Sequence, residues 1–148
     1  MPQQDACTLL DNDHQKVEQL FAEYQSAGND QSRKSRLAQT ICMELTVHAT
    51  IEEEIFYPAF RKAAGDNELV DEAEQEHHEA RDLITEIEDA EQMHPLMAKL
   101  QKAIEHHVKE ERDEMFPKAR KTPGLDLMTL GAQLESRKRE LMSGFNVA

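Results

Sequence analysis

The chain has 148 residues, and 17 lysine and arginine residues against 30 aspartate and glutamate residues give a formal net charge of −13. This length predicts one domain with room for a sizeable core. The acidic excess argues against a nucleic-acid-binding protein and against docking on an anionic membrane, because both need a basic surface. We expect a cytoplasmic protein, since the sequence has no membrane-spanning apolar run and no signal-peptide pattern. Its oligomeric state is left open.

Two cysteines, Cys7 and Cys42, are too few for a disulfide framework. Both lie in apolar helical patterns, which favours small core side chains in a reducing compartment. A redox or gating role for Cys7 is the alternative interpretation.

Turn-forming residues divide the chain into five predicted helices, over residues 6–27, 31–63, 67–92, 95–121 and 126–143. The breaks fall at residues 27–30, 65–67, 93–95 and 122–124, where glycine or proline separates runs of strong helix formers. Four long helices joined by short loops predict an all-α, up-down-up-down four-helix bundle over about residues 5–121. The short fifth helix is expected to cap an open face or end of the bundle within the same domain.

Two polar residues interrupt the core-facing stripe of the second predicted helix. The series Ile41, Leu45, His48, Glu52 and Ile55 advances in steps of four, three, four and three residues. Such steps keep side chains on one face of a helix. His48 and Glu52 are therefore predicted to point into the bundle.

The fourth predicted helix repeats this arrangement. Leu100, Ile104, His107 and Glu111 advance in the same steps, so His107 and Glu111 are also predicted to face the core. Both His-x-x-x-Glu pairs place the imidazole and the carboxylate one turn apart. A proline follows each histidine by ten residues, at Pro58 and Pro117.

The first and third helices each contribute one core-facing histidine, His14 and His77, which apolar residues follow at matching offsets. His78, His94 and His106 are predicted to be surface or loop residues, because His78 and His106 share their helix faces with polar residues and His94 precedes a proline. The chain is thus a weak internal repeat. Each half has a lone inward histidine and then an inward His-x-x-x-Glu pair.

Two antiparallel helical hairpins would bring these imidazoles and carboxylates to the bundle centre. Burying them without a cation would cost roughly several kcal/mol, and coordination removes this penalty. The predicted metal ligands are His14, His48, Glu52, His77, His107 and Glu111. Imidazole and carboxylate donors without a thiolate suit iron, manganese or zinc, and this histidine-rich set favours a pair of iron ions bridged by carboxylates and by oxide or hydroxide.

These residues resemble the hemerythrin-like family of cation-binding HHE domains over about residues 5–121. The resemblance lies in Asp13-His14, in His48 through Glu52 to Pro58, in Glu76-His77-His78-Glu79, and in His107 through Glu111 to Phe116-Pro117. It implies a four-helix bundle with a non-heme di-iron centre. Glu52 and Glu111 would bridge the irons, and the four inward histidines would be terminal ligands.

Two departures from the oxygen-carrying hemerythrins bear on function. The carriers have a second histidine one turn from the first on the third helix, whereas Ala73 and Arg81 occupy those places around His77. The carriers also have an aspartate five residues after the fourth-helix histidine, where this chain has Glu111 at four. Fewer ligands leave open metal positions, which favours chemistry or sensing over reversible oxygen carriage.

The predicted function is that of a di-iron protein that binds or reacts with a small oxidant (O2, H2O2 or NO) in oxidative or nitrosative stress or in iron homeostasis; whether it is an enzyme is left open. One alternative is a metal-dependent sensor or interaction module. Another is ferritin-like iron storage, for which Glu74-x-x-His77 and Glu91-x-x-His94 have the required spacing. Against storage, the first helix has a histidine where such a site needs a glutamate.

Residues around the ligands have weaker predicted roles. Glu44, Glu53 and Glu110 are candidates for holding an imidazole N–H, with no basis for choosing among them. Tyr57 and Phe56 are expected to flank the site as packing residues rather than as redox groups.

Overall fold

The computed structural model describes residues 4–65, 67–89 and 94–146. Five helices fill these ranges: α1 (Ala6–Ser26), α2 (Gln31–Ile51, Glu52–Phe56 and Tyr57–Ala64), α3 (Asn67–Asp89), α4 (His94–Glu110, Glu111–Met115 and Phe116–Lys121) and α5 (Leu127–Asn146). The predicted all-α bundle is confirmed, with helix bounds within a few residues of those expected. The predicted end of the third helix, at residues 90–92, lies outside the described residues.

Short polar turns begin and end the helices where the sequence predicts them. Asp5 and Asp30 cap α1 and α2, because each carboxylate accepts a hydrogen bond from the backbone N–H three residues later, at 2.9 and 3.0 Å. Asp126 does the same for α5, at 3.0 Å. Gly65 ends α2 with φ 69°, a left-handed conformation that glycine adopts without steric cost. The short connections make consecutive helices antiparallel neighbours.

The second and fourth helices each contain one π-helical turn, at Glu52–Phe56 and Glu111–Met115. In each turn the N–H of the next residue bonds to the carbonyl of the first glutamate, five positions back. A proline then follows, Pro58 or Pro117. Because proline has no N–H and its ring clashes with the carbonyl four residues before it, regular α-helix cannot continue through these segments. The predicted helices over residues 31–63 and 95–121 therefore each contain one π turn, which the sequence did not predict.

Apolar side chains form two core clusters, one on each side of a buried polar layer. On α1, for example, Leu10 belongs to the first cluster and Val17 to the second. On α3 the same division separates Ala73 from Ala80. His14 and His77 lie between these residues in the chain. The buried polar layer that contains these histidines thus lies between the two apolar core clusters.

Helix α5 packs along α1, along α2 and against the π turn of α2. Leu130 and Leu134 join the first core cluster. Gly131 permits a close approach, since a Cβ there would stand 2.1 Å from the backbone oxygen of Gln4. The fifth helix was expected to cap an open face or end of the bundle, and the structure places it along the α1–α2 pair. None of the described helices is both long and apolar enough to cross a membrane.

Candidate metal centre

The structure brings the six predicted ligand residues together in the middle of the bundle. They come from all four bundle helices and are all buried: His14 on α1, His48 and Glu52 on α2, His77 on α3, and His107 and Glu111 on α4. The two carboxylates are 0% and 1% exposed. A carboxylate so removed from water requires compensating positive charge or hydrogen bonds.

The ligand atoms form two overlapping groups, with all atoms of a group within 4.8 Å of one another. One group is His14, His48, Glu52 and Glu111, and the other is Glu52, His77 and His107. Glu52 Oε1 lies 3.2 Å from His48 Nε2 and 3.1 Å from His77 Nε2. Glu111 Oε1 lies 2.9 Å from His14 Nε2 and 3.4 Å from His107 Nε2. Each carboxylate therefore stands between imidazoles of different helices.

Several of these buried atoms make no hydrogen bond within the described part of the chain. They are Nε2 of His14, Nε2 of His48, both carboxylate oxygens of Glu52, and Oε1 of Glu111. Buried polar atoms without a partner are rare, because each carries an uncompensated desolvation penalty. Imidazole nitrogens and carboxylate oxygens are also a donor set that divalent transition metals accept. The residues present therefore fit a bound cation.

Each of the four imidazoles is held on its other side by a carboxylate that contacts Nδ1. The pairs are His14 with Asp11 (3.1 Å), His48 with Asp13 (3.1 Å), His77 with Glu53 (2.7 Å) and His107 with Glu76 (2.7 Å). An Nδ1–H donated to a carboxylate leaves the lone pair on Nε2 directed at the centre. This is the tautomer that a metal-binding histidine uses.

Three of the four supporting carboxylates contact a cationic side chain. Arg112 of α4 is 2.5 Å from Asp11, Lys138 of α5 is 2.5 Å from Asp13, and Arg81 of α3 is 2.7 Å from Glu53. Glu76 instead lies 3.3 Å from the exposed His106. These contacts fix the carboxylates and hence the orientation of the imidazoles.

The electrostatics of the protein alone show how strongly the centre favours positive charge. Burial lowers the pKa of His48, but Glu52 and Asp13 outweigh this effect and raise it to about 10. Burial raises the pKa of Glu52, yet the charge of the neighbouring His48 brings it well below its usual range. Protons on imidazoles thus balance the carboxylates, and a divalent cation would replace those protons.

Tyr57 lies at the centre that it was expected to flank, and it makes polar contacts there that the sequence did not predict. Its hydroxyl donates to Glu111 Oε2 at 2.8 Å and lies 3.3 Å from His77 Nε2 and 3.4 Å from His107 Nε2. Burial and the nearby carboxylates raise its pKa well above the usual range, so the phenol stays protonated. The π turn explains this placement, because it contains one extra residue. Tyr57, five residues after Glu52, therefore occupies the place that the fourth residue after Glu52 would occupy in an α-helix.

The packing expectation holds for the neighbouring Phe56. Its side chain is 0% exposed, and its ring packs against Phe60 and Phe116 at centroid distances of 6.1 and 6.0 Å.

His78 and His106, which were predicted to lie outside the site, do lie outside it. The side chains of His78 and His106 are 70% and 64% exposed. The side chain of His94 lies outside the described residues. Helical register therefore separates inward from outward histidines even where the two are adjacent in the chain.

Of the three glutamates considered for holding an imidazole, Glu53 contacts an inward one, that of His77, in the described part of the chain. Glu44 binds Lys16 at 2.8 Å, and Glu110 contacts His106 at 3.1 Å. Asp11, Asp13 and Glu76 also hold inward imidazoles, a role that was not predicted for any of the three.

A pattern in the sequence identifies two of the missed residues. Asp13 and Glu76 each directly precede an inward histidine. Each holds the inward histidine of the next helix, His48 or His107, and not its own neighbour. An acidic residue directly before an inward histidine is therefore the signal, because it faces the adjacent helix.

A narrow cavity of about 30 Å³ adjoins the imidazoles. The four inward histidines form part of its lining, and most of the other lining residues are apolar: Leu45, Ala49, Ala80, Ile84, Ile104 and Val108. Arg81 and Thr46 also line it. About 10–15 Å³ of such space is enough to hold one water molecule, so the cavity suits a molecule of very few atoms.

The fold and this centre define a class: a helical bundle with a buried histidine–glutamate cluster able to hold metal. The sequence model of the family described as "Hemerythrin HHE cation binding domain" matches residues 5–119. The chain therefore belongs to the hemerythrin HHE cation-binding domain family.

One solved structure similar to this chain is that of a hemerythrin HHE cation binding domain-containing protein, the Rv2633c homolog from Mycobacterium kansasii. The match has a TM-score of 0.80 and 21% sequence identity, and covers 95% of this chain and 89% of that chain. At this identity the likeness shows the fold. A comparison with curated proteins finds no match.

Proposed function

We propose that the chain is a non-heme di-iron protein that binds or reacts with a small oxidant. Six residues would hold the metal: His14, His48, Glu52, His77, His107 and Glu111. The observation that carries the proposal is the set of buried nitrogen and oxygen atoms that make no hydrogen bond in the described chain. Coordination would remove their desolvation penalty. Membership of a cation-binding family supports a metal at this place.

Two ions are supported by the two overlapping groups, which share Glu52. Two divalent ions would carry four positive charges, and the two carboxylates would balance two of them. A bridging oxide or hydroxide would balance part of the remaining positive charge. Four imidazoles and two carboxylates offer fewer donor atoms than two six-coordinate ions accept, so positions stay open for solvent or a small ligand. Nitrogen and oxygen donors without a thiolate suit iron.

Bound iron would supply the exchange of electrons between its ferrous and ferric states and a small oxidant such as O2, H2O2 or NO. The chain would contribute in three ways. The carboxylates at Nδ1 orient the imidazoles. Tyr57 keeps its proton and offers a hydrogen-bond donor at the centre. The narrow apolar cavity favours small uncharged molecules.

Ferritin-like storage is not supported by the placement of Glu74. Its side chain is 46% exposed and pairs with Arg61 at 3.0 Å, so Glu74-x-x-His77 does not form an inward pair. Glu91 lies outside the described residues. A metal-dependent sensor is the second candidate, because α5 contacts Asp13 through Lys138 and so connects a packed outer helix to the support of His48.

The test is metal content and optical absorption of the protein purified from iron-replete cells, followed by anaerobic addition of peroxide or NO. We expect two irons per chain, near-ultraviolet bands of an oxo-bridged pair, and spectral change or consumption on addition. Zinc alone or no metal would overturn the proposal. Two irons without any response to either oxidant would retain the centre and overturn the oxidant chemistry.

A further inference from the structure

One line of contacts leads from the metal centre out of the four-helix bundle. Asp13, 7% exposed, accepts from His48 Nδ1 through its Oδ2 at 3.1 Å. Its Oδ1 accepts from Lys138 Nζ at 2.5 Å. Lys138 belongs to α5, which lies beyond the residues that the family model matches. Both oxygens of this buried carboxylate are therefore engaged, one by a metal-ligand candidate and the other by the additional helix.

Helix α5 is held firmly enough to act as a support. Leu134 is 0% exposed in the first core cluster, and Gly131 lets the helix backbone approach the start of α1 closely. Arg137 adds a contact to Glu54 in the π turn of α2, at 2.7 Å. Lys138 thus extends from a packed helix, and its position relative to Asp13 is determined by that packing.

The other supporting carboxylates contact side chains within the bundle. Asp11 contacts Arg112 of α4, and Glu53 contacts Arg81 of α3. Glu76 contacts His106 of α4. Among the described contacts of these four carboxylates, that of Asp13 with Lys138 is the one that reaches α5. Asp13 holds His48, which belongs to the group with His14 and not to the group with His77 and His107.

We propose that Lys138 is a positioning residue for the metal centre, acting on His48 through Asp13, so that the docking of α5 controls one half of the centre. A buried carboxylate that loses its cation is strongly destabilised in place. Without Lys138, the Asp13 carboxylate would turn towards water, and the His48 ring would lose the acceptor that fixes its tautomer and orientation. The proposal rests on the proposed two-metal function.

The variant that tests this is Lys138→Met, which keeps the aliphatic stem and removes the charge. Lys138→Arg restores the charge, and Arg139→Met is the matched control, because Arg139 is 79% exposed and pairs with Glu135 on the same helix. Each protein is loaded anaerobically with Fe(II), its iron content is measured, and iron removal by a ferrous chelator is followed in time.

For Lys138→Met we expect one iron to leave about tenfold faster, as is typical when an outer partner of a metal ligand is lost. The other iron should leave at the wild-type rate. Lys138→Arg should restore the slow release, and Arg139→Met should match wild type. The proposal would be overturned if both irons left Lys138→Met faster by the same factor, or if neither left faster than from wild type.

A metal-free measurement separates this proposal from the function proposed above. The ring-nitrogen NMR signals of His48 should shift in Lys138→Met, and those of His77 should stay in place. Unshifted His48 signals would overturn the positioning role. A wild-type protein that fails to bind two irons would overturn the proposed function, and the NMR result would still decide whether Lys138 acts on His48.

Discussion

Tyr57 on α2 donates a hydrogen bond of 2.8 Å to Glu111 on α4, so each of the two helices that carry a His-x-x-x-Glu pair contributes one end of a buried contact. The acceptor, Oε2, belongs to a carboxylate that is 1% exposed. A hydrogen bond to a buried charged group is among the stronger ones in proteins.

Tyr57→Phe should destabilise the metal-free protein by about 1–3 kcal/mol, because Glu111 Oε2 would lose its donor while staying buried. The free energy of unfolding from urea titration measures this. Tyr24→Phe is the control, since Tyr24 belongs to the second core cluster and not to the metal centre. Equal stability of Tyr57→Phe and wild type would show that the hydrogen bond contributes nothing to the fold.

Substitution of inward and outward residues should separate their roles in metal binding. His48→Ala and Glu111→Ala should lose bound iron, because each removes a donor from the buried groups. His78→Ala and His106→Ala should keep it, because both side chains are mostly exposed. Metal content per chain after desalting is the measurement. Retention of two irons by His48→Ala would contradict the ligand assignment.

The two glycines of α5 should respond to alanine with opposite signs. Gly131→Ala places a Cβ against the backbone of Gln4 and should cost about 1–3 kcal/mol through overpacking. Gly144→Ala meets nothing within 4 Å and should gain about 0.5–1 kcal/mol, because alanine is the better helix former. Thermal unfolding of the two variants checks this. A neutral Gly131→Ala would mean that α5 is not closely docked at that point.

Cys7 should remain unreactive in the folded protein even at alkaline pH. Burial raises the pKa of its thiol to about 12, whereas an accessible cysteine ionises near pH 8.5. Since the folded state favours the neutral thiol, this contribution to stability is complete below about pH 8.5 and declines as the pH rises towards the folded-state value.

The measurement for Cys7 is the rate of alkylation by iodoacetamide, with the labelled residue identified by mass spectrometry. We expect labelling to track global unfolding and to show no rise with pH between about 8 and 10 beyond that of unfolding itself. Fast labelling of folded protein would revive a redox role for this residue.

Helical periodicity was sufficient to bring the six ligand candidates into one predicted cluster, because the inward direction of His48 or Glu111 depends on local spacing alone. Their role as metal ligands stays a prediction. Periodicity could not identify Asp13 as a support for His48. That contact depends on how α1 packs against α2, and the burial of Asp13 accompanies its contact with Lys138 of α5.

The π turns show a second limit of spacing arguments. Pro58 and Pro117 were visible at matching offsets, but a proline inside a helical pattern can end, kink or widen a helix. The choice among these depends on the packing around the turn. The hydrogen bond from Tyr57 to Glu111 was consequently not predicted, since the direction of the Tyr57 side chain depends on the extra residue in the turn.

Those turns also bear on how the chain tolerates changes of length. In an ordinary helix, deleting one residue rotates everything beyond it by about 100° and breaks the match between the core faces. In the π turn at Glu52–Phe56, deletion of Glu54 would instead remove the extra residue and keep the helix beyond the turn in its present register. Tyr57 would then stand four residues after Glu52, in the place that it now occupies at five, and would stay beside Glu111. The two helices with π turns can therefore lose one residue at the turn without rotating the core-facing side chains that follow it.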